Sequence, residues 1–181
     1  MSRPEAYDEK ITKLRRTARI AQLEVERVVG LCLGTSRITD LLDVGTGSGL
    51  FAEAFALRGV KVFGLDPDPD MIRAARCLVP AVSFHVAAAE ALPFAERAVD
   101  ACFMGMVLHE TADPDRSLLE ARRVARNLVA VLEWPPAMPT DPPPPARRFD
   151  YEEIDRMGRR TGFRDISLFP LTDMVLYRMM V

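Results

Sequence analysis

A chain of 181 residues that is 49% apolar can bury the core of one domain, and it has no run of about 18 apolar residues able to span a bilayer. A net charge of −2 argues against a nucleic-acid partner, and pairs such as Arg15/Arg16, Arg122/Arg123 and Arg159/Arg160 read as solvated helix surface. Cys32, Cys77 and Cys102 are odd in number and lack CxxC spacing, and MSRPEAYDEK has no apolar signal core. Structural thiols, no metal site and a cytoplasmic location are therefore the expectation.

In chain order, residues 4–29 read as one helix, because Tyr7, Ile11, Leu14, Ala18, Ala21, Val25 and Val28 recur at spacings of four and three. Such a stripe serves equally as a lid or as a homodimer interface. ITDLLDV reads as a buried strand, the segment from Gly49 to Arg58 as a helix, VKVFGLD as a strand and PDMIRAARCLV as a helix. Strands VSFHVA, VDACFMGM and NLVAVLEW follow, with the helix DRSLLEARRVA between the last two. The Pro-rich loop of residues 134–149 excludes helix and central strand. A helix capped by Asp150 and stopped at Gly162 comes next. The final stretch, FRDISLFPLTDMVLYRMMV, holds two strands joined by a turn at residues 171–173, too short for a crossover, so the two are antiparallel. The expected fold is a single α/β domain over residues 1–181. Its core is a Rossmann-like, doubly wound seven-stranded sheet, mostly parallel, with an antiparallel C-terminal hairpin strand and helices on both faces.

The stretch LLDVGTGSGLF places Gly45, Thr46, Gly47 and Gly49 between a buried strand and a helix. Glycines there permit a tight turn with amides facing an electronegative ligand. Asp66 ends the next strand about 20 residues on, where a carboxylate reaches ribose hydroxyls. A plain strand-to-helix turn, with Asp66 capping a helix, is the alternative. A dinucleotide fingerprint requires a glycine where Leu50 stands. Asp43, ahead of the loop, repels a pyrophosphate and favours an ammonium or sulfonium group. The ligand read from these residues is cationic at one end and a nucleoside at the other. An NAD-dependent oxidoreductase is disfavoured by Leu50 and by the terminal hairpin.

Together, LLDVGTGSG, VFGLDPDPDMIRAAR, AAAEALPF, VDACFMGMVLHE and LVAVLEW resemble the class I S-adenosylmethionine-dependent methyltransferases, in particular the ubiquinone/menaquinone biosynthesis branch. The resemblance covers roughly Ile38 to the C-terminus. It implies that Asp43 and Gly45 to Gly49 line the methionine end of S-adenosylmethionine, that Asp66 binds the ribose diol, and that Pro67 and Met71 border the adenine. Ala89 and Glu90 would flank the adenine amino group, and Met104 completes the implied cofactor set. Relatives carry an acid where this chain has Ala88, so one adenine contact is missing or comes from backbone. The implied reaction is in-line methyl transfer to a small-molecule acceptor. A non-catalytic cofactor-binding protein or partner subunit is the rival reading.

Methyl transfer needs a base only if the acceptor must lose a proton. His109 and Tyr7 are the candidate catalytic residues, each with a packing role as the alternative. Glu133 and Trp134 are candidates for one wall of the acceptor pocket, the Pro-rich loop for its rim, and Arg147 and Arg148 for contact with an anionic acceptor.

Overall fold

The computed structural model describes residues 9, 11–34, 37–136 and 148–181. Seven strands form one sheet in the order β3-β2-β1-β4-β5-β7-β6: β1 (Asp40–Val44), β2 (Lys61–Asp66), β3 (Ser83–Val86), β4 (Val99–Gly105), β5 (Ala125–Glu133), β6 (Asp165–Pro170) and β7 (Val175–Met180). The first five strands pair in parallel, and β7 runs antiparallel to both β5 and β6. This is the expected doubly wound sheet with its terminal hairpin. The order reverses direction between β1 and β4, and in such sheets a crevice opens there beyond the strand C-termini.

Side chains on successive strand residues alternate between faces. Leu41, Ala101, Phe103, Leu128 and Ala130 pack with α2 (Val25–Leu33), α3 (Leu50–Ala56) and α4 (Pro69–Leu78). Leu42, Cys102, Met104, Val129 and Val131 pack on the other side with α5 (Pro114–Val124) and α6 (Tyr151–Arg160). Both faces being covered explains why the central strands read as unbroken apolar runs.

Helix starts follow local chemistry. Asp68, Asp113 and Asp150 each accept a hydrogen bond from a first-turn amide, those of Asp70, Arg116 and Glu153 respectively. Pro69 and Pro114 occupy first-turn positions, where the missing N–H costs nothing. Asp66 is therefore not the cap of α4; Asp68 is.

The N-terminal stripe departs from expectation. Residues 11–14 are helical, α1 spans Thr17–Gln22, and α2 follows; Arg16 is extended (φ −62°, ψ 141°) and Glu24 is left-handed (φ 45°). Each break resets the helical phase, so Ala18 and Ala21 are exposed while Arg19, Ile20 and Leu23 turn inward. Tertiary contacts hold both breaks. Arg15 donates to the Ser48 carbonyl at 3.0 Å and to Glu53 at 2.9 Å, and the Glu24 carboxylate accepts from the Thr172 amide and from Arg27. Tyr7, Arg147 and most of the Pro-rich loop lie outside the described residues.

Candidate functional site

At the β1–β4 crevice a cavity of about 710 Å³ opens. The glycine loop after β1 forms its floor. Gly45 has φ +70°, and a Cβ there would collide with the Val107 side chain, so only glycine lets the two loops meet. The loop's amides are not all turned outward, contrary to the sequence expectation. Thr46 N donates to Leu65 O at 2.7 Å, Gly47 N to Asp66 Oδ2 at 2.9 Å, and Gly49 N to Thr46 O at 2.8 Å. A buried amide needs an acceptor, and here the protein supplies three of them itself.

Two of the carboxylates that line this cavity, Asp43 and Asp66, flank the glycine loop. Asp66 accepts from Gly47 N through one oxygen and from Asp68 N at 3.0 Å through the other, which fixes its plane. Asp43 is 2% exposed, and Thr46 Oγ1 donates to it at 2.7 Å. Burial pushes its pKa up to about 7; the Thr46 hydroxyl pulls the other way, and the neighbouring charge of Asp66 adds to the rise. A cation beside Asp43 would reverse that destabilisation.

Of the residues implied for the cofactor, Asp43, Gly45, Thr46, Gly47, Asp66, Pro67, Met71, Ala89 and Glu90 line the cavity. Gly49 lies one step behind it, with φ +77° at the N-cap of α3. Met104 is fully buried on the opposite sheet face, where strand alternation sends it, and Gly105 and Met106 line the cavity instead. Glu90 also accepts from Ala112 N at 2.9 Å, tying its loop to the one that follows β4.

Beyond β4, a 3-10 turn (Leu108–Glu110) presents His109 to the cavity. Its Nδ1 lies 2.8 Å and 3.0 Å from the two oxygens of Glu133, the last residue of β5, and both side chains are buried. Glu133 Oε1 also accepts from His109 N at 3.2 Å, and Oε2 from Trp134 N at 3.3 Å. Glu133 is thus not a pocket wall; it sits beneath His109. Trp134 does line the cavity, with the Arg19 guanidinium 5.3 Å from its ring centroid. Burial lowers the Arg19 pKa from its ordinary value. Leu14, Arg19 and Leu23 close the near side. Arg19 was not legible in the sequence, because nothing distinguishes it from other arginines on a charged helix until the break at Arg16 rotates it inward.

Comparison with known proteins bears on the domain and the fold. Residues 42–130 match the model of a methyltransferase domain family. An uncharacterized methyltransferase of Mycobacterium leprae is 47% identical over 88 residues, covering 48% of this chain and 33% of the relative. The chain spans about a third of the length of that relative and 41% of a Mycolicibacterium gilvum one. Among solved structures, a SAM-dependent methyltransferase from Aquifex aeolicus superposes with a TM-score of 0.82 at 23% identity, covering 96% of this chain and 97% of that one. A putative methyltransferase from Haloferax volcanii, solved with the Trm112 methyltransferase activator, gives 0.75 at 19% identity, covering 96% and 94%. No helix among the described residues is long and apolar enough to cross a membrane. Residues 42–130 of this chain thus match a methyltransferase domain, and its sheet has the fold of solved SAM-dependent methyltransferases.

Proposed function

We propose that the cavity binds S-adenosylmethionine and that the protein transfers its methyl group to a small-molecule acceptor. The observation that carries this reading is the pair of carboxylates on one cavity floor. Asp66, fixed by two amides, suits a ribose diol, and buried Asp43, which makes no ion pair among the described residues, suits the positively charged methionine end. Met71 and Ala89 supply apolar contacts of the kind an adenine ring takes up. The cofactor brings the activated methyl group; the chain's own part is to hold donor and acceptor in line and keep water out. A volume of about 710 Å³ accommodates a nucleoside and a compact second molecule, which favours a small acceptor over a polymer.

The experiment is calorimetry with S-adenosylmethionine and S-adenosylhomocysteine, with NADH as the control. Micromolar binding of the two adenosyl compounds, and none of NADH, is expected. Absence of heat with both adenosyl compounds overturns the reading. Incubation with labelled S-adenosylmethionine and an acceptor panel then separates a methyltransferase from a cofactor-binding partner subunit. The ubiquinone/menaquinone-type acceptor is one member of that panel, suggested by the sequence resemblance alone.

A further inference from the structure

We propose that His109, held by Glu133, is the general base for an acceptor that reacts through a hydroxyl, of the phenol type. This rests on the methyltransferase reading above and names the acceptor class for the same cavity. Both Glu133 oxygens accept from backbone N–H groups, the pattern of a carboxylate, and on that basis the proton in the 2.8 Å contact is assigned to His109 Nδ1. That leaves Nε2 as the accepting nitrogen of a ring that lines the cavity. A buried carboxylate placed so as to fix one tautomer and to stabilise the imidazolium goes beyond what packing requires.

The remaining walls select the acceptor. Trp134, Phe51, Met106 and Leu23 are apolar and suit an aromatic scaffold. Arg19, lying over Trp134, opposes an ammonium acceptor and favours an oxygen that gains negative charge as it reacts. Among the described residues, the charged groups near the base include Glu133 from β5, Glu110 with Oε1 3.9 Å from Nε2, and Arg19 on the cavity wall. In the proposed step the hydroxyl proton passes to Nε2 and the oxygen lone pair forms the new O–CH3 bond. The S–CH3 bond breaks with its electron pair left on sulfur. The imidazolium, paired with Glu133, then returns its proton to water.

The test has two arms on the intact protein. In the first, histidine 15N spectra are recorded without ligand. The chain has two histidines, His85 and His109, so the ring signal lost in His109→Gln is assigned directly. An Nδ1-protonated, Nε2-bare ring at pH 8 is expected, and Glu133→Gln alters that signature. An Nε2-protonated ring overturns the proposal.

In the second arm, S-adenosylhomocysteine release is followed with 2-naphthol, which stays protonated at the assay pH, with 4-nitro-1-naphthol, which is ionised there, and with 2-naphthylmethylamine. Wild type uses the naphthols in preference to the amine, and the acid limb of its pH profile with 2-naphthol disappears in His109→Gln. General-base loss costs about 10²–10⁴-fold, so His109→Gln lowers kcat by about that factor with 2-naphthol but by less than about threefold with 4-nitro-1-naphthol. Glu133→Gln lowers kcat with 2-naphthol at near-constant KM. If Glu133→Gln does not fold, His109→Gln and the spectra decide. Equal losses with both naphthols, retained activity, or no naphthol transfer by a protein that binds S-adenosylhomocysteine overturns this proposal and leaves the methyltransferase reading standing. Failure to bind the cofactor overturns both.

Discussion

Asp43→Asn is expected to stabilise the ligand-free protein, and to do so only above acidic pH. The carboxyl is buried at 2% exposure and its pKa is pushed from 3.8 up to about 7. An acid raised in the folded state costs stability once the unfolded chain ionises. The penalty is absent below about pH 4, grows as pH rises, and is complete above about pH 7. About three units at 1.36 kcal/mol each gives about 4 kcal/mol as the full penalty. Asparagine still offers an oxygen to the Thr46 hydroxyl and carries no charge, so the variant escapes the penalty less the cost of turning its NH2 towards the Ala52 amide. The Asp100 carboxylate does not blur the comparison. Burial works against its charge, but Thr39 and Arg126 outweigh burial and hold its pKa at about 2, so its contribution changes between about pH 2 and 4. Urea unfolding at half-unit steps from pH 4.5 to 8, without ligand, measures the difference. A gain of about 2–4 kcal/mol at pH 8 that shrinks towards zero at pH 4.5 is expected. Equal stability at pH 8, or a gain independent of pH, would refute the argument. The same substitution is expected to weaken S-adenosylmethionine binding, since a carboxylate that destabilises the empty fold is the one positioned to meet a cation.

Asp66→Ala removes the acceptor for Gly47 N and Asp68 N along with the proposed ribose partner; S-adenosylhomocysteine affinity is expected to fall at least about 100-fold by calorimetry, while circular dichroism stays unchanged. Gly64→Ala drives a Cβ into the Phe84 ring and to 3.0 Å from Thr46 Oγ1 and should cost about 1–3 kcal/mol in urea unfolding; a loss under about 0.5 kcal/mol would show that the β2–β3 packing yields easily. Glu120→Ala leaves Leu92 N without its acceptor and deprives Arg123 of two short contacts, at 2.8 Å and 2.7 Å, so about 2 kcal/mol is lost. Arg123 lowers the Glu120 pKa, so this stability is present near neutral pH and disappears as pH falls through the acid range; a wild-type to variant difference that does not shrink at pH 3 contradicts it.

What the sequence disclosed follows from which interactions are local. The strands, the terminal hairpin and the helix capped by Asp150 rest on apolar runs, a short turn and an Asp-x-x-Glu signal, and these survive folding unchanged. Met104 lies off the cavity because VDACFMGM is apolar on both faces: alternation separates Phe103 from Met104, and only the tertiary packing shows which of the two faces meets which helix layer. The N-terminal stripe was misread because helical spacing cannot register a bond made 33 residues away, such as that of Arg15 to the Ser48 carbonyl. The same distance hides the site's most specific feature. His109 and Glu133 are separately visible as polar residues at strand ends, but their contact depends on β4 and β5 being neighbours.

The glycine loop shows how a local motif can be legible while its state is not. Three glycines predict a tight turn with amides available to a ligand, yet in the folded chain Gly47 N is taken by the very carboxylate expected to hold the ribose. The link is chemically economical. Asp66 presents acceptor sites beyond those its two amides use, so it can orient the loop and still receive hydroxyl donors. Cofactor binding therefore adds hydrogen bonds to a preset carboxylate without first breaking the loop, and lost preorganisation should make Asp66→Asn weaker in binding than the loss of one charge explains. An asparagine amide can accept from only one of the two backbone donors through its single oxygen, and it turns its NH2 against the other N–H. Hydrogen exchange at Gly47 measures this directly: faster exchange in ligand-free Asp66→Asn than in wild type is the expected result, and unchanged protection would mean that the carboxylate does not set the loop.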